Sequence, residues 1–265
     1  VSATETRHSA VEVNGARLAL DETGAGPVVL QLHGMGASRG QDHELGFDFS
    51  VLSRSHQLVR YDARAHGDSG GRPEATDYTW AHLAGDLLAV KAHVSPDQPV
   101  DAIGASMGGG TILHAALAEP QAFRRLVLVI PPTAWETRAE HAAMWEQAAG
   151  LVERHGLGAF LAAGENQPRP PVLAAIGKRM EPQVSPDLFP AVMRGAALTD
   201  LPAQEDLKAL TQPTLILPWA DDPGHPLSTA ERLAEVLPNA TLQPPARTPD
   251  EVAAWASLVE AFLRP

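Results

Sequence analysis

Apolar and polar positions along the chain change period several times, and each change predicts an element. Residues 11–22 alternate around Asn14-Gly15, the dipeptide best suited to a two-residue hairpin turn. A break at Gly24 to Pro27 precedes Val28 to Leu32, a buried strand that ends in His33-Gly34-Met35-Gly36. Residues 47–52 suit a short helix and 57–61 a strand. Helical spacing from Tyr78 to Val94 puts Leu83, Leu87, Leu88 and Val90 on a core face, with His82, Asp86 and Lys91 outside. Apolar strands recur at 100–105, 123–130, 213–219 and 240–243, with helices at 111–118 and 228–237. Strands apolar throughout, alternating with helices, predict an α/β fold: a mostly parallel, doubly wound sheet covered on both faces. From Pro131-Pro132 to about Leu210 the texture changes to several short helices. The breaks are Gly156, Gly158, Pro168-Arg169-Pro170-Pro171, Pro182 and Pro190, with Glu165-Asn166-Gln167 as a polar loop. The expected division is core 1–130, helical insertion 131–210 and core 211–265.

The chemistry concentrates at Gly104-Ala105-Ser106-Met107-Gly108, between the strand that starts at Val100 and the helix-like run from Thr111 to Ala118. A serine on a sharp strand-to-helix turn is pushed out beyond the sheet, where its hydroxyl can meet a substrate carbonyl. Glycines at 104 and 108 allow the close backbone approaches of such a turn. The following helix points its N–H groups and positive dipole end at the place where an oxyanion would form. Ser106 is therefore the candidate nucleophile.

With that elbow in its strand–helix context, the chain resembles the α/β-hydrolase superfamily over nearly its whole length. Asp62-Ala63-Arg64-Ala65-His66-Gly67-Asp68-Ser69 is similar to the superfamily's Asp-Xaa-Arg-Gly-His-Gly-Xaa-Ser loop, with Ala65 in place of the usual glycine. The resemblance implies an oxyanion hole made by the amides of Met35 and Met107. It makes Gly34, Trp135 and Met144 candidate substrate contacts, and gives His33 the part of a loop buttress. The 62–69 loop is then a fold marker held by local hydrogen bonds and an ion pair. The insertion becomes a small helical cap over a pocket of modest size, with Trp135, Met144, Trp145, Phe160, Met180 and Met193 available either to its own core, the commoner place for any one of them, or to its underside. Asp221-Asp222-Pro223-Gly224-His225-Pro226 resembles the acid turn, in a register that selects Asp222 over Asp221.

One part of the pattern fails. The superfamily order is Ser, acid, His, with the histidine on the loop after the last strand. Here that loop reads Pro244-Pro245-Ala246-Arg247-Thr248-Pro249, and no histidine follows His225. Three explanations stand. His225 serves as a displaced base, although a partner three residues from Asp222 rarely satisfies both required distances. Alternatively, the enzyme acts without a histidine on an activated ester, thioester or lactone. In the third, the protein is a catalytically silent binder of a small apolar ligand on the same fold. His114 is carried away from the elbow by its own helix.

Composition narrows the field further. With 265 residues and 44% hydrophobic content the chain can bury a sizeable core, and its net charge of −12 disfavours nucleic-acid and anionic-membrane surfaces. Cysteine is absent, which removes disulfides, thiol catalysis and thiolate metal sites. No run is long enough to span a bilayer, and Val1 to Ser9 lacks a signal-peptide core. Lysine occurs only at 91, 178 and 208, and abundant Ala, Pro and Arg suit a GC-rich bacterial genome. The expectation is a cytoplasmic protein with a small-molecule substrate or ligand and no metal or cofactor. The oligomeric state is left open.

Overall fold

The computed structural model describes residues 5–165, 167 and 169–264; Asn166 and Pro168, which fall in predicted breaks of the insertion, lie outside them. Strands β1 (Thr6–Val13) and β2 (Ala16–Thr23) form the predicted hairpin, with Asn14 and Gly15 both at positive φ (46° and 77°) as a tight two-residue turn requires. Then come β3 (Val28–Leu32), β4 (Gln57–Tyr61), β5 (Val100–Ala105), β6 (Phe123–Val129), β7 (Thr214–Leu217) and β8 (Ala240–Leu242). The eight strands lie in the order β1-β2-β4-β3-β5-β6-β7-β8. Pairing is antiparallel from β1 to β4 and parallel from β4 onward. Every residue of β3, β5 and β7 is buried, because helices cover both faces there.

Helix α1 (Trp80–Val94) is capped by Thr79, whose hydroxyl accepts from the His82 amide. It packs with α2 (Met107–Ala118), α7 (Gln204–Leu207) and α8 (Leu227–Val236) around one apolar core on their side of the sheet. The opposite side is closed by α9 (Pro249–Ala253) and α10 (Trp255–Phe262), with Phe47, Trp219 and Trp255 in a second core. Asp86, expected on the outer face of α1, is instead buried: it accepts two bonds from the Arg64 guanidinium and one from Asn14. Residues 47–52 give only a short 3-10 turn, Ser50–Arg54.

Between β6 and β7 the chain forms α3 (Arg138–His155), α4 (Leu157–Gly164), α5 (Pro171–Ile176), α6 (Phe189–Ala197) and then α7. Helix α3 is longer than the broken texture suggests. Gly156, at φ 80°, ends it, whereas Gly158 sits inside α4. Phe160 packs on Phe189 at a ring separation of 5.0 Å, and Met193 is buried with them, so these two form the insertion's own core. Among the described residues no helix is long and apolar enough to cross a membrane.

Candidate active site

Parallel strands bring their carboxyl ends to one edge of the sheet, and the loops after β3, β5 and β7 meet there. Ser106 follows β5 with φ 48° and ψ −109°, a conformation that L-residues avoid and that lifts its side chain off the sheet. Two glycines make this possible. A Cβ on Gly104 would lie 2.4 Å from the Gly108 carbonyl carbon, and one on Gly108 would lie 2.7 Å from Leu32. The Ser106 amide is anchored on the Val129 carbonyl at 3.0 Å.

After β7 the chain turns through Asp222-Pro223-Gly224-His225. The His225 amide donates to the Asp222 carbonyl at 3.1 Å, and the Gly224 amide to Asp222 Oδ1 at 2.8 Å. Asp at the first position and Pro at the second are the residues that favour such a turn. The fold-back places His225 Nδ1 at 2.7 Å from Asp222 Oδ2 and Nε2 at 2.9 Å from Ser106 Oγ. Both distances judged hard to satisfy over three residues are met, because the imidazole folds back over the carboxylate instead of reaching it from another loop. An ionised carboxylate only accepts, so Nδ1 carries the proton and Nε2 is left to accept from the serine hydroxyl.

Asp222 is braced from a third side by Trp219 Nε1 at 2.8 Å, and the Trp219 ring meets the His225 ring edge-on at 5.8 Å. Burial raises the Asp222 carboxyl, but the bonds from His225, Gly224 and Trp219 outweigh it and hold the group below its ordinary value. Asp221 points elsewhere and pairs with Arg247, the residue in the loop where a histidine was expected. That loop is pinned to the segment that follows β7 by the Ala246 amide on the Pro218 carbonyl and the Ala220 amide on the Ala246 carbonyl.

Met35 and Met107 border the same cavity as Ser106, and neither amide has an acceptor among the described residues. Gly34 passes close by: a Cβ there would come within 3.6 Å of Ser106 Cβ. Two buried imidazoles fix this loop. His33 donates from Nδ1 to the Gly34 carbonyl and accepts the Ala63 amide at Nε2. His66 does the reciprocal job, donating to the Arg64 carbonyl and accepting the Gly36 amide at 3.1 Å. Burial pushes His33 down to about 4, and burial together with the neighbouring His33 pushes His66 down to about 3, so both are neutral latches. The 62–69 loop is held by more than one ion pair, Arg39 with Asp62 and Asp68 and Arg64 with Asp77 and Asp86, and His114 is turned away onto the Asp200 carbonyl.

The cavity measures about 180 Å³ and lies between the sheet edge and α3. Met144 and Trp145 line it. Trp135 does not: its backbone turns at φ 50°, its amide binds Asp200 and its indole N–H reaches the Pro202 carbonyl at 3.0 Å. Met180 faces a separate hollow beside the insertion. Trp80, Arg138 and His141 also border the cavity and were not singled out from the sequence. The available signal was a lone arginine in the first turn of the helix after Pro131-Pro132. The Trp219 brace is legible only once the turn is built.

A family model described as alpha/beta hydrolase fold matches residues 27–166. The chain is 31% identical to "Putative carbamate hydrolase RutD" of Variovorax paradoxus (strain S110) over 229 residues, covering 82% of each chain. It is 28% identical to the protein of the same name from Pseudomonas savastanoi pv. phaseolicola, over 82% of this chain and 83% of that one. Among solved structures, a hydrolase from Pseudomonas aeruginosa PA01 superposes with a TM-score of 0.79 at 26% identity, over 98% of this chain and 99% of the other. Together with the elbow and the parallel sheet, these matches place the chain in the α/β-hydrolase fold family.

Proposed function

We propose that the protein is a serine hydrolase acting on small carboxylic esters, thioesters or lactones. The observation that carries this reading is the continuous chain from Asp222 through His225 to Ser106, with contacts of 2.7 and 2.9 Å. In this reading His225 Nε2 takes the Ser106 proton as Oγ attacks the substrate carbonyl carbon. Asp222 keeps the proton on Nδ1 and stabilises the imidazolium as it forms. The carbonyl oxygen, now negative, is met by the free amides of Met35 and Met107 at the positive end of α2. His225 then returns its proton to the leaving alcohol, thiol or, for a lactone, the departing ring oxygen. Water repeats the cycle on the acyl-serine and releases the acid.

A silent ligand-binding protein would have no need of an imidazole bonded to the serine, nor of a serine held at φ 48°. A carbamate presents the same carbonyl, and the name of the bacterial relatives makes carbamate esters a reasonable second panel of substrates. The test is labelling by a fluorophosphonate probe, followed by mass spectrometry. Labelling at Ser106 that disappears in Ser106→Ala and drops sharply in His225→Ala is the expected outcome. A folded protein that takes no label would sink the hydrolase reading.

A further inference from the structure

The catalytic steps leave one buried charge unused. Arg138, the first residue of α3, is only 4% exposed and borders the cavity that holds Ser106 and His225. Its guanidinium is sandwiched between Trp80 and Trp145, 4.3 and 4.1 Å from the ring centroids. Nε donates to the Thr199 carbonyl at 2.7 Å, and Nη1 to the Thr133 carbonyl and hydroxyl at 3.4 and 3.2 Å. Nη2 donates to the Ala196 carbonyl at 2.5 Å. These acceptors orient the group without neutralising it, and Arg138 has no ion-pair partner among the described residues. Asp200, the nearest acid to act on it, is occupied by the Trp135 and Leu201 amides. A guanidinium has five N–H groups, so one on Nη2 remains without an acceptor.

Three further points bear on this. Burial lowers Arg138 only to about 10, so it stays charged at neutral pH. A cation in a helix's first turn opposes the helix dipole, so helix stability does not explain it. One turn on, His141 borders the same cavity, and its buried Nδ1 has no hydrogen-bond partner. A buried charge with no counter-ion and an unpaired buried polar atom are both costly, and both belong to residues that border one small cavity.

We propose that Arg138, with His141 beside it, binds a carboxylate carried by the substrate, making the preferred substrates half-esters or lactones of short dicarboxylic acids. This rests on the hydrolase reading above for the reaction, but the anion site itself is tested separately. The first measurement compares kcat/KM for monomethyl succinate and methyl succinamate, in which a neutral amide replaces the carboxylate, by methanol release. Wild type is expected to favour the acid by about 10- to 100-fold, the range of a hydrogen bond to a charged group. Arg138→Gln should lower kcat/KM far more for the acid than for the neutral ester and so abolish the preference, and Arg138→Lys should retain part of it. Equal losses on both esters would make Arg138 a packing residue and overturn the proposal. So would a wild type that cleaves both esters without preference, however the variants fold. The second measurement is calorimetric binding of monomethyl succinate to Ser106→Ala, with and without Arg138→Gln. Binding that needs Arg138, in a protein whose wild type cleaves neither ester, would refute the hydrolase reading and uphold the anion site. Cleavage with binding indifferent to Arg138 would do the reverse.

Discussion

The compact acid–base turn makes a demand that a histidine on a separate loop would not, and one inserted residue tests it. Asp222 and His225 are joined by a turn whose closing bond is 3.1 Å, and the imidazole has 2.7 and 2.9 Å contacts to satisfy at once. An added residue can displace the chain by up to about 3.5 Å, whereas a hydrogen bond is lost beyond about 3.5 Å and at poor angles. A glycine inserted between Gly224 and His225 therefore cannot keep the turn bond, the Asp222 contact and the Ser106 contact together. The expected loss is that of removing a triad member, about 10⁴- to 10⁶-fold in kcat, or roughly 5–8 kcal/mol at 1.36 kcal/mol per tenfold. The assay is kcat/KM on p-nitrophenyl acetate, beside fluorophosphonate labelling rates and thermal melts, with His225→Ala as the reference for a lost base. The insertion variant should match His225→Ala in rate while melting within a few degrees of wild type. A folded insertion variant within about 3-fold of wild-type activity would refute the reasoning, because the site would then not depend on turn geometry.

Other outcomes follow from the same geometry. Ser106→Gly should abolish turnover and raise stability by about 1 kcal/mol in denaturant melts, since glycine accepts φ 48° without strain. Ala65→Gly should also stabilise, by about 1 kcal/mol, because Ala65 sits at φ 66° where the superfamily's usual glycine would be unstrained. The latch histidines predict acid sensitivity. Their folded-state values, about 4 for His33 and about 3 for His66, lie below the ordinary 6.5, so the unfolded chain binds more protons in between. Stability from this source is present above about pH 6.5 and is lost as pH falls toward 4 and then 3. Asp42, raised to about 7 by burial, contributes with the opposite sign, so the informative quantity is the difference between wild type and His66→Asn. Melting temperature should fall less steeply with acid in the variant.

The sheet was legible because its buried parallel strands are short, predominantly apolar runs, and β3 and β4 begin and end where the pattern places them. The elbow was legible because Gly104 and Gly108 answer to close backbone contacts that no other residue permits. The acid position was legible from the spacing of Pro226, whereas for its partner the sequence offers His225 as only one of three explanations. Sequence distance suggests that two side chains three residues apart compete for the same space. What decides the matter is the direction in which a Pro223-Gly224 turn throws the second one. The outward placement of Asp86 failed for a related reason: helical periodicity cannot see Arg64, which arrives from a loop more than 20 residues away in sequence and draws the carboxylate inward. Arg138 was invisible because nothing local marks a helix-start arginine as buried. Its place between Trp80 and Trp145 depends on α1 and α3, two helices that only the folded chain brings together.

The missing histidine loop and the short acid turn are two sides of one arrangement. With His225 already bonded to Ser106, the segment after β8 does not have to reach the serine, and it runs close to the end of β7. There Ala246 extends the sheet's pairing to Trp219, and Arg247 pairs with Asp221. Those contacts hold the outer side of the turn whose inner side carries Asp222 and His225. Trp219, fixed by that pairing and packed against Phe47, then donates its indole N–H to the same carboxylate oxygen that holds the imidazole. The 244–249 loop thus supports the turn from behind. Cutting the Arg247–Asp221 pair alone should cost little, because both side chains are exposed and such pairs contribute about 0–1 kcal/mol. Trp219→Phe keeps the aromatic packing and removes one charge-assisted bond to Asp222, so it should lower kcat more than it lowers stability. A Trp219→Phe enzyme with unchanged kcat would mean that the two bonds from His225 and Gly224 hold the carboxylate without it.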